Sequence, residues 1–313
     1  MSEKQKLLID TDAGVDDAIA IMMALVHPRA EVVAITTVNG NVDVDKVTKN
    51  VGLILDQYDA DVPIYRGADR PLIADAVHSD FVHGSDGLGG VTTTYPSTKH
   101  TPESEHAALG LIRLAKMHAK NLTLLAVGPL TNLALALRLD PTFMNNISRL
   151  VVMGGAIEAH GNMTPAAEFN IYADPEAAAI VFDAGFHDLS LLSWETTTQY
   201  PLLWSEFDEL AEINSDRAAF FQKITTQTAR LIKEEYGLTG FLLPDPLAAA
   251  VALEPDLVTL APHLPVSVEI IGEHGRGLTS VDWLKQYGKT PNAFIVQEMR
   301  DSDAYGLIRA ALV

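Results

Sequence analysis

Four aspartates fall within one short stretch near the start of the chain, Leu7-Leu8-Ile9-Asp10-Thr11-Asp12-Ala13-Gly14-Val15-Asp16-Asp17-Ala18. Carboxylates crowded this closely repel one another unless a positive charge sits among them. A hard cation with oxygen ligands is the simplest remedy, so the stretch reads first as a metal cluster. The plainer alternative makes one Asp a helix N-cap and leaves the rest in solvent, but a cap uses a single carboxylate. The elements that must position these acids are legible around them. Residues 7–9 read as a short buried strand and 19–26 as an apolar helix. Asp10 and Asp12 alternate along the strand direction, which would place both on one side at its carboxyl end. Gly14 permits a tight strand-to-helix turn, and Asp16 and Asp17 fall in the first helical turn, where the helix dipole favours negative charge.

The chain that follows alternates strand and helix. Residues 31–37 are a β-branched strand ending at the turn Asn39-Gly40-Asn41, and 43–57 a helix with Val47, Val51, Ile54 and Leu55 on one face. A third short strand spans 62–65. This βαβαβ order predicts a doubly wound parallel sheet, in which ligands bind outside the carboxyl ends of the strands. The aspartates sit at such an end. Residues 66–100 read as irregular and contain His83-Gly84-Ser85-Asp86-Gly87-Leu88-Gly89-Gly90. That run does not match a phosphate-cradling fingerprint, although a long ordered loop in a compact domain is often functional. His83 there reads either as a surface or supporting residue or as a catalyst.

Further along, 103–118 reads as a helix and 121–127 as a buried strand, followed by Gly128-Pro129-Leu130-Thr131-Asn132 and a helix to Leu139. The strand 149–153 closes on Gly154-Gly155, and the loop behind it holds Asn162, Glu168, Phe169 and Asn170. Such donors and acceptors suit recognition of hydroxyl groups, or ordinary turns. Asp174-Pro175-Glu176 opens a helix to Ala184 with Asp as cap and Pro at the first position. A strand is predicted over 189–193, mostly helix over 202–236 with breaks near Asn214 and Gly237, and a mobile rim over 237–243. Leu243-Pro244-Asp245-Pro246 opens an alanine-rich helix to Leu253, where spacing alone makes Asp245 a cap like Asp174. The segments 257–260, 266–271, 277–282 and 293–296 read as strands in a hairpin-like set, and 303–313 as a closing helix.

Bulk composition narrows the partners. The chain has 313 residues, 48% of them hydrophobic, enough for a sizeable core. With 41 acidic against 22 basic residues, the net charge of -19 argues against nucleic acid or an anionic membrane surface. There are no cysteines, hence neither disulfides nor thiolate metal sites. Met1-Ser2-Glu3-Lys4-Gln5-Lys6 runs directly into the first strand, leaving no room for a signal peptide. No apolar run approaches membrane-spanning length. A cytoplasmic protein is the expectation.

Taken whole, Asp10-Thr11-Asp12-Ala13-Gly14-Val15-Asp16-Asp17-Ala18 resembles the N-terminal signature of nucleoside hydrolases of the inosine–uridine type. Ile35-Thr36-Thr37-Val38-Asn39-Gly40-Asn41, Gly128-Pro129-Leu130-Thr131-Asn132, Val152-Met153-Gly154-Gly155, Ala167-Glu168-Phe169-Asn170 and Asp245-Pro246 resemble that family's further blocks, in its order. The resemblance implies one α/β domain over 1–313, with an open, mostly parallel sheet, helices on both faces and a small C-terminal set of strands. It implies a bound Ca2+ and hydrolysis of the N-glycosidic bond of ribonucleosides, purine or pyrimidine, to ribose and free base, in nucleoside catabolism and salvage. Asp12, Asp17 and Asp245 would be Ca2+ ligands, with the backbone carbonyl of Val127. Asp12 would also take a proton from the attacking water. Asp16, Asn162, Glu168 and Asn170 would bind ribose hydroxyls, Asn41 and Met153 would line the sugar site, and Asp10 would support the cluster. A homodimer or homotetramer is implied as well.

The chemistry agrees. Breaking a ribosyl–base bond develops positive charge on the sugar, which carboxylates stabilise more than the neutral ground state. One position departs from the family. Many members carry a His before the matching Asp as leaving-group acid, and here that residue is Pro244. Base protonation would then fall to His83, Tyr236, another rim group or solvent, or aromatic stacking would raise the basicity of the base. Two rival readings remain. One is a non-catalytic Ca2+-dependent nucleoside-binding protein. The other is a Mg2+-dependent phosphohydrolase of the haloacid dehalogenase type, which Asp10-x-Asp12 superficially suits but for which no convincing Gly-Asp-x-x-x-Asp motif follows.

Overall fold

The structure, a computed structural model, describes residues 4–313; Met1 to Glu3, on which the signal-peptide expectation bears, lie outside the described residues. The first strand, β1 (Gln5–Thr11), is flanked in register by two others, Asp10 pairing with Thr36 on one side and with Ala126 on the other. Its side chains alternate as a strand's must. Leu7 and Ile9 enter one apolar cluster and Leu8 the other, all fully buried. A strand buried on both faces lies at the centre of an α/β sheet.

The neighbours of β1 are β2 (Ala30–Thr37), β3 (Ile64–Arg66), β4 (Leu122–Ala126), β5 (Arg149–Met153) and β6 (Leu189–Leu192). With β7 (His263–Leu264) and β8 (Ala293–Val296) they form one eight-stranded sheet in the order β7-β8-β6-β5-β4-β1-β2-β3. Every pairing is parallel except that of β7 with β8. The strand order reverses beside β1, so the crevice at its carboxyl end is the expected ligand position.

On one face of the sheet lies α1 (Val15–Val26), packed against α10 (Pro244–Leu253) and α11 (Asp301–Leu312). α1 is buried nearly all round, consistent with its run of aliphatic and alanine residues. α10 is likewise buried from Asp245 to Leu253. α2 (Val44–Gln57) is amphipathic and starts from Asp43, whose side chain accepts from the Lys46 N–H. On the other face lie α3 (Ala107–Met117), α4 (Thr131–Leu139) and α6 (Pro175–Phe182), with the short α5 (Phe169–Ala173) before it. α7 (Trp194–Gln199), α8 (Trp204–Ala211) and α9 (Asp216–Arg230) follow β6.

Three expectations change. The segment 293–296 is not part of a hairpin set: β8 joins the main sheet, parallel to β6. Outside the main sheet, 266–268 with 279–281 and 258–260 with 298–299 form small antiparallel pairs near the C-terminus. The helix predicted over 103–118 starts at Ala107, because Glu103 N donates to Ile64 O at 2.7 Å along the β3 edge and His106 Nδ1 caps the helix from Ala108 N. The stretch 202–236 holds a two-residue strand, Leu202–Leu203, paired with Gly240–Phe241 in what was expected to be a mobile rim. Its final turn, Leu231–Glu235, is wide, with bonds spanning five residues, before Gly237 at φ 64°.

Candidate active site

The turn from β1 into α1 is built by hydrogen bonds to Asp17. Its Oδ1 accepts from Thr11 Oγ1 at 2.5 Å and its Oδ2 from Gly14 N at 2.8 Å and Asn41 Nδ2 at 3.1 Å. Asp12 Oδ2 accepts from Asn41 N at 2.7 Å. Asn41, at the carboxyl end of β2, therefore ties Asp12 to Asp17, and Ser79 Oγ donates to its Oδ1. Asp245 enters from the start of α10 but makes no capping bond, so the cap reading drawn from spacing is corrected: Leu243 occupies the N-cap position. One carboxylate oxygen from each of Asp16, Asp17 and Asp245 lies within 4.8 Å of the others, and these three could hold a metal ion.

Asp10 does not belong to this group. The alternation predicted for Asp10 and Asp12 ends with the strand at Thr11, where Ala13 takes φ 29°. Asp10 accepts instead from Thr36 Oγ1 at 2.5 Å and Asn132 Nδ2 at 2.8 Å, on the Leu8 side of the sheet.

The electrostatics of the cluster are one-sided. Burial, then the negative charge of Asp17, holds Asp12 well above the usual carboxylate range. Burial, then Asp16 and Asp17, does the same to Asp245. Burial pushes Asp16 up to about 6 and raises Asp17, the latter with help from Asp16. Asp12 Oδ1 and Asp16 Oδ1 are buried oxygens without a hydrogen-bond partner. Among the described residues no Lys or Arg pairs with any of the four acids, and the one ring near them is His83, Nδ1 3.7 Å from Asp16 Oδ1. Orphaned oxygens in an all-oxygen donor set with no counter-charge fit a hard divalent cation.

Close approach depends on two glycines. A Cβ at Gly14 would stand 2.5 Å from Asn41 Nδ2 and 2.7 Å from His83 Nδ1. One at Gly40 would stand 2.0 Å from Asp12 Oδ2.

His83 ends a single helical turn, Asp80–His83, and is buried rather than on the surface. Val15 N, at the start of α1, donates to its Nδ1 at 3.1 Å. Burial lowers its pKa to about 4. An imidazole accepting at Nδ1 is neutral and carries its proton on Nε2.

The opposite wall comes from the loop between β5 and α5. Glu168 caps α5, accepting from Asn170 N at 2.9 Å and Ile171 N at 3.2 Å, and from Gly155 N at 2.8 Å. Burial raises it to about 7. Asn170 Nδ2 lies against the Val127 carbonyl at 3.1 Å and the Met153 carbonyl at 3.3 Å. Asn162 Oδ1 accepts from Phe169 N at 2.9 Å.

These walls enclose one pocket. It is lined by Asp16, Asn41, His83, Val127, Met153, Asn162, Glu168, Asn170, Tyr236 and Asp245, all singled out by the sequence. Asp12 and Asp17 are fully buried and do not line it. Phe81, Tyr236 and Leu238 are exposed at its rim. Sequence reasoning missed Phe81, Trp194 and Phe241, which carry no charge to mark them. Trp194 follows the carboxyl end of β6, the one signal that could have found it. No Lys or Arg lines the pocket, so the phosphohydrolase reading finds no phosphate-binding cation here.

Known proteins resemble this chain along most of its length. Residues 7–305 match the family model described as inosine-uridine preferring nucleoside hydrolase. The chain is 36% identical over 304 residues to pyrimidine-specific ribonucleoside hydrolase RihA of Salmonella gallinarum, covering 96% of this chain and 95% of that protein. It is 37% identical over 265 residues to uridine nucleosidase 1 of Arabidopsis thaliana, covering 83% of this chain and 77% of that one. Among solved structures, a purine-preferring ribonucleoside hydrolase from Gardnerella vaginalis superposes with a TM-score of 0.91 at 30% identity, covering 98% of each chain.

Proposed function

The chain belongs to the inosine-uridine preferring nucleoside hydrolase family, and from that premise we propose that it hydrolyses the N-glycosidic bond of ribonucleosides in a Ca2+-dependent reaction, with Asp12 as the base. The observation that carries the proposal is a set of carboxylates without counter-charge, Asp12 and Asp17 buried beneath a pocket and Asp16 and Asp245 on its lining, where a polar floor meets an apolar rim. A ribose fits the floor and a heterocyclic base the rim.

Asp12, Asp17, Asp245 and the Val127 carbonyl would hold the cation. Bound there, it would bring the hydroxyl-gripping and water-acidifying chemistry of a divalent ion. The unpartnered Asp12 Oδ1 accepts the proton of the attacking water. Asp16, Asn162, Glu168 and Asn170 take the ribose hydroxyls, with Asn41 and Met153 closing the sugar site. Asp16 and Glu168 also face the positive charge that grows on the ribose, which lowers the barrier more than it tightens substrate binding. At the base, His83 offers Nε2–H as a hydrogen-bond donor, and Tyr236 lies at the lip. Pro244 donates no proton, so base departure relies on these rim groups or on water.

Base preference is left open by pyrimidine-specific and purine-preferring relatives of similar identity. The chain is proposed to act as one domain, in a homodimer or homotetramer, and in the cytoplasm; no helix among the described residues is long and apolar enough to cross a membrane.

The test is release of free base from inosine, adenosine, guanosine, uridine, cytidine, xanthosine and 2′-deoxyinosine, with chelator and after Ca2+ restoration. Metal-dependent cleavage of ribonucleosides, lost in Asp12→Ala, is the expected result. Nucleoside binding without turnover would replace hydrolysis by the non-catalytic reading, for which Pro244 is the motivating residue.

A further inference from the structure

We propose that Glu195 is a positioning residue that fixes the sugar-side wall of the pocket through the loop 156–160; the inference rests on the nucleoside reading above for what that wall binds. Glu195 lies in the first turn of α7, immediately after Trp194, whose side chain lines the pocket. Its place is that of an ordinary acidic residue at a helix start. Its side chain does something else.

The Glu195 carboxylate accepts three backbone N–H groups from a different segment. Oε2 accepts from Ile157 N at 2.9 Å, and Oε1 from Glu158 N at 2.9 Å and His160 N at 3.3 Å. Beside them Trp194 N donates to Gly155 O at 2.9 Å. The start of α7 and the loop after β5 are thus joined by four bonds, three of them to one carboxylate. Among the described residues no Lys, Arg or His forms an ion pair with Glu195, and both of its carboxylate oxygens accept from this backbone. Hydrogen bonds to an ionised acceptor are roughly twice as strong as neutral ones.

The loop needs such an anchor. Glu158, Ala159 and His160 are exposed, no strand passes through them, and Ala159 sits at φ 59°, a conformation that L residues rarely hold without support. Directly beyond this anchored stretch come Asn162 and Met163, both lining the pocket, and then Glu168. Asn162 has its own contact to the α5 start, through Phe169 N. Between Glu195 and Phe169 the segment closes on itself, Gly161 N donating to Pro165 O and Met163 N to Ala167 O, both at 3.1 Å, so Glu195 fixes where this turn and its Asn162 sit against the pocket. Glu195 makes no hydrogen bond to the proposed cation ligands Asp12, Asp17 and Asp245, so its loss acts on the sugar-side wall and not on the acid cluster. That separation predicts a binding defect rather than a chemical one.

The experiment compares Glu195→Ala and Glu195→Gln with Asn162→Ala and the double variant Glu195→Ala/Asn162→Ala, in Ca2+-loaded full-length protein. Glu195→Ala should raise KM for the best ribonucleoside about 10-fold, with kcat within about 3-fold, as loss of ground-state positioning requires. Glu195→Gln, which keeps one accepting oxygen, should fall between. The double variant should be no worse than Asn162→Ala within about 2-fold, since residues acting through one element are non-additive. Hydrogen exchange at the 157, 158 and 160 amides should accelerate in Glu195→Ala while α1 stays protected. Unchanged exchange at those amides, or additive losses in the double variant, would overturn the role. Turnover by the wild type decides the nucleoside reading separately, and exchange decides the anchor even in a protein that cleaves nothing.

Discussion

At the scale of single residues the site is governed by what each carboxylate touches. Asp10 and Asp12 are two positions apart in one motif, yet Asp10 braces the fold and Asp12 enters the acid cluster. Asn132, which donates to Asp10, also donates to Thr37 O at 3.0 Å and accepts from Ala68 N at 2.9 Å. Asp10 therefore ties β1 to β2, α4 and the segment after β3. Asp10→Ala leaves Asn132 Nδ2 and Thr36 Oγ1 without that acceptor in a buried place, which should cost about 2–3 kcal/mol, read by chemical unfolding. Asp10→Asn keeps an accepting oxygen and removes the ionisation that burial opposes. Burial raises the Asp10 pKa to about 7, so the wild type loses stability as pH climbs from near 4 through 7, and the Asn variant should lose less over that window. Gly40→Ala tests the opposite residue. Its Cβ would stand 2.0 Å from Asp12 Oδ2, so kcat should fall about 100-fold, the scale of a misplaced catalytic group. Retention of full kcat would mean Asp12 tolerates displacement and is not the base. The sequence showed that these acids gather but not which of them share a site. Alternation is a rule for strands, and β1 ends before Asp12.

At the scale of elements, what repeats locally was legible and what pairs across the chain was not. β5 lies where its aliphatic run predicted, and α10 begins at Pro244 and ends at Leu253, because both are fixed by their own composition. The partner of β8 was not, since 293–296 is apolar enough either to join a hairpin or to enter the sheet, and only tertiary pairing decides. The pocket rim was half legible: His83 and Tyr236 were marked by chemistry, Phe81 and Trp194 by nothing but their place. One side chain connects two of these elements. Thr228 Oγ1, on α9, donates to Val82 O at 2.9 Å, on the turn that presents His83. Thr228→Val keeps the shape and removes the donor, which should cost about 1 kcal/mol and accelerate amide exchange around 82–84. Unaltered exchange there would mean that the His83 turn is held by its bonds to Val15, Asn41 and Gly89 without help from Thr228.

At the scale of the whole molecule the acid cluster makes folding, protons and cation compete. Asp12, Asp16, Asp17, Asp245, Asp10 and Glu168 all have folded pKa values above their ordinary range, first through burial, with Asp16 near 6 and Asp10 and Glu168 near 7. These six acids outnumber His27, His83 and His106, whose pKa values burial lowers and which act in the opposite direction, so the folded state takes up more protons than the unfolded one between about pH 4 and 7 and stability falls on balance as pH rises through that range. A net charge of -19 adds self-repulsion in the same direction. A cation that binds only the folded state reverses the loss, and does so more strongly where protons no longer compete for the same oxygens. Chelated protein should therefore show a Tm that declines from pH 5 to pH 8. Excess Ca2+ should raise Tm by several degrees at pH 8 and far less at pH 5, the increment following the logarithm of free Ca2+ over Kd. General screening of surface acids would give a similar trend with any salt, so the decisive comparison is Asp12→Asn/Asp17→Asn. That variant keeps most of the surface charge and loses two of the proposed ligands. If the Ca2+ increment at pH 8 disappears in it while the salt effect persists, the cluster is the cation site. An increment of equal size in variant and wild type would place the bound cation elsewhere on this acidic surface, and the reading of Asp12 as a ligand would fall with it.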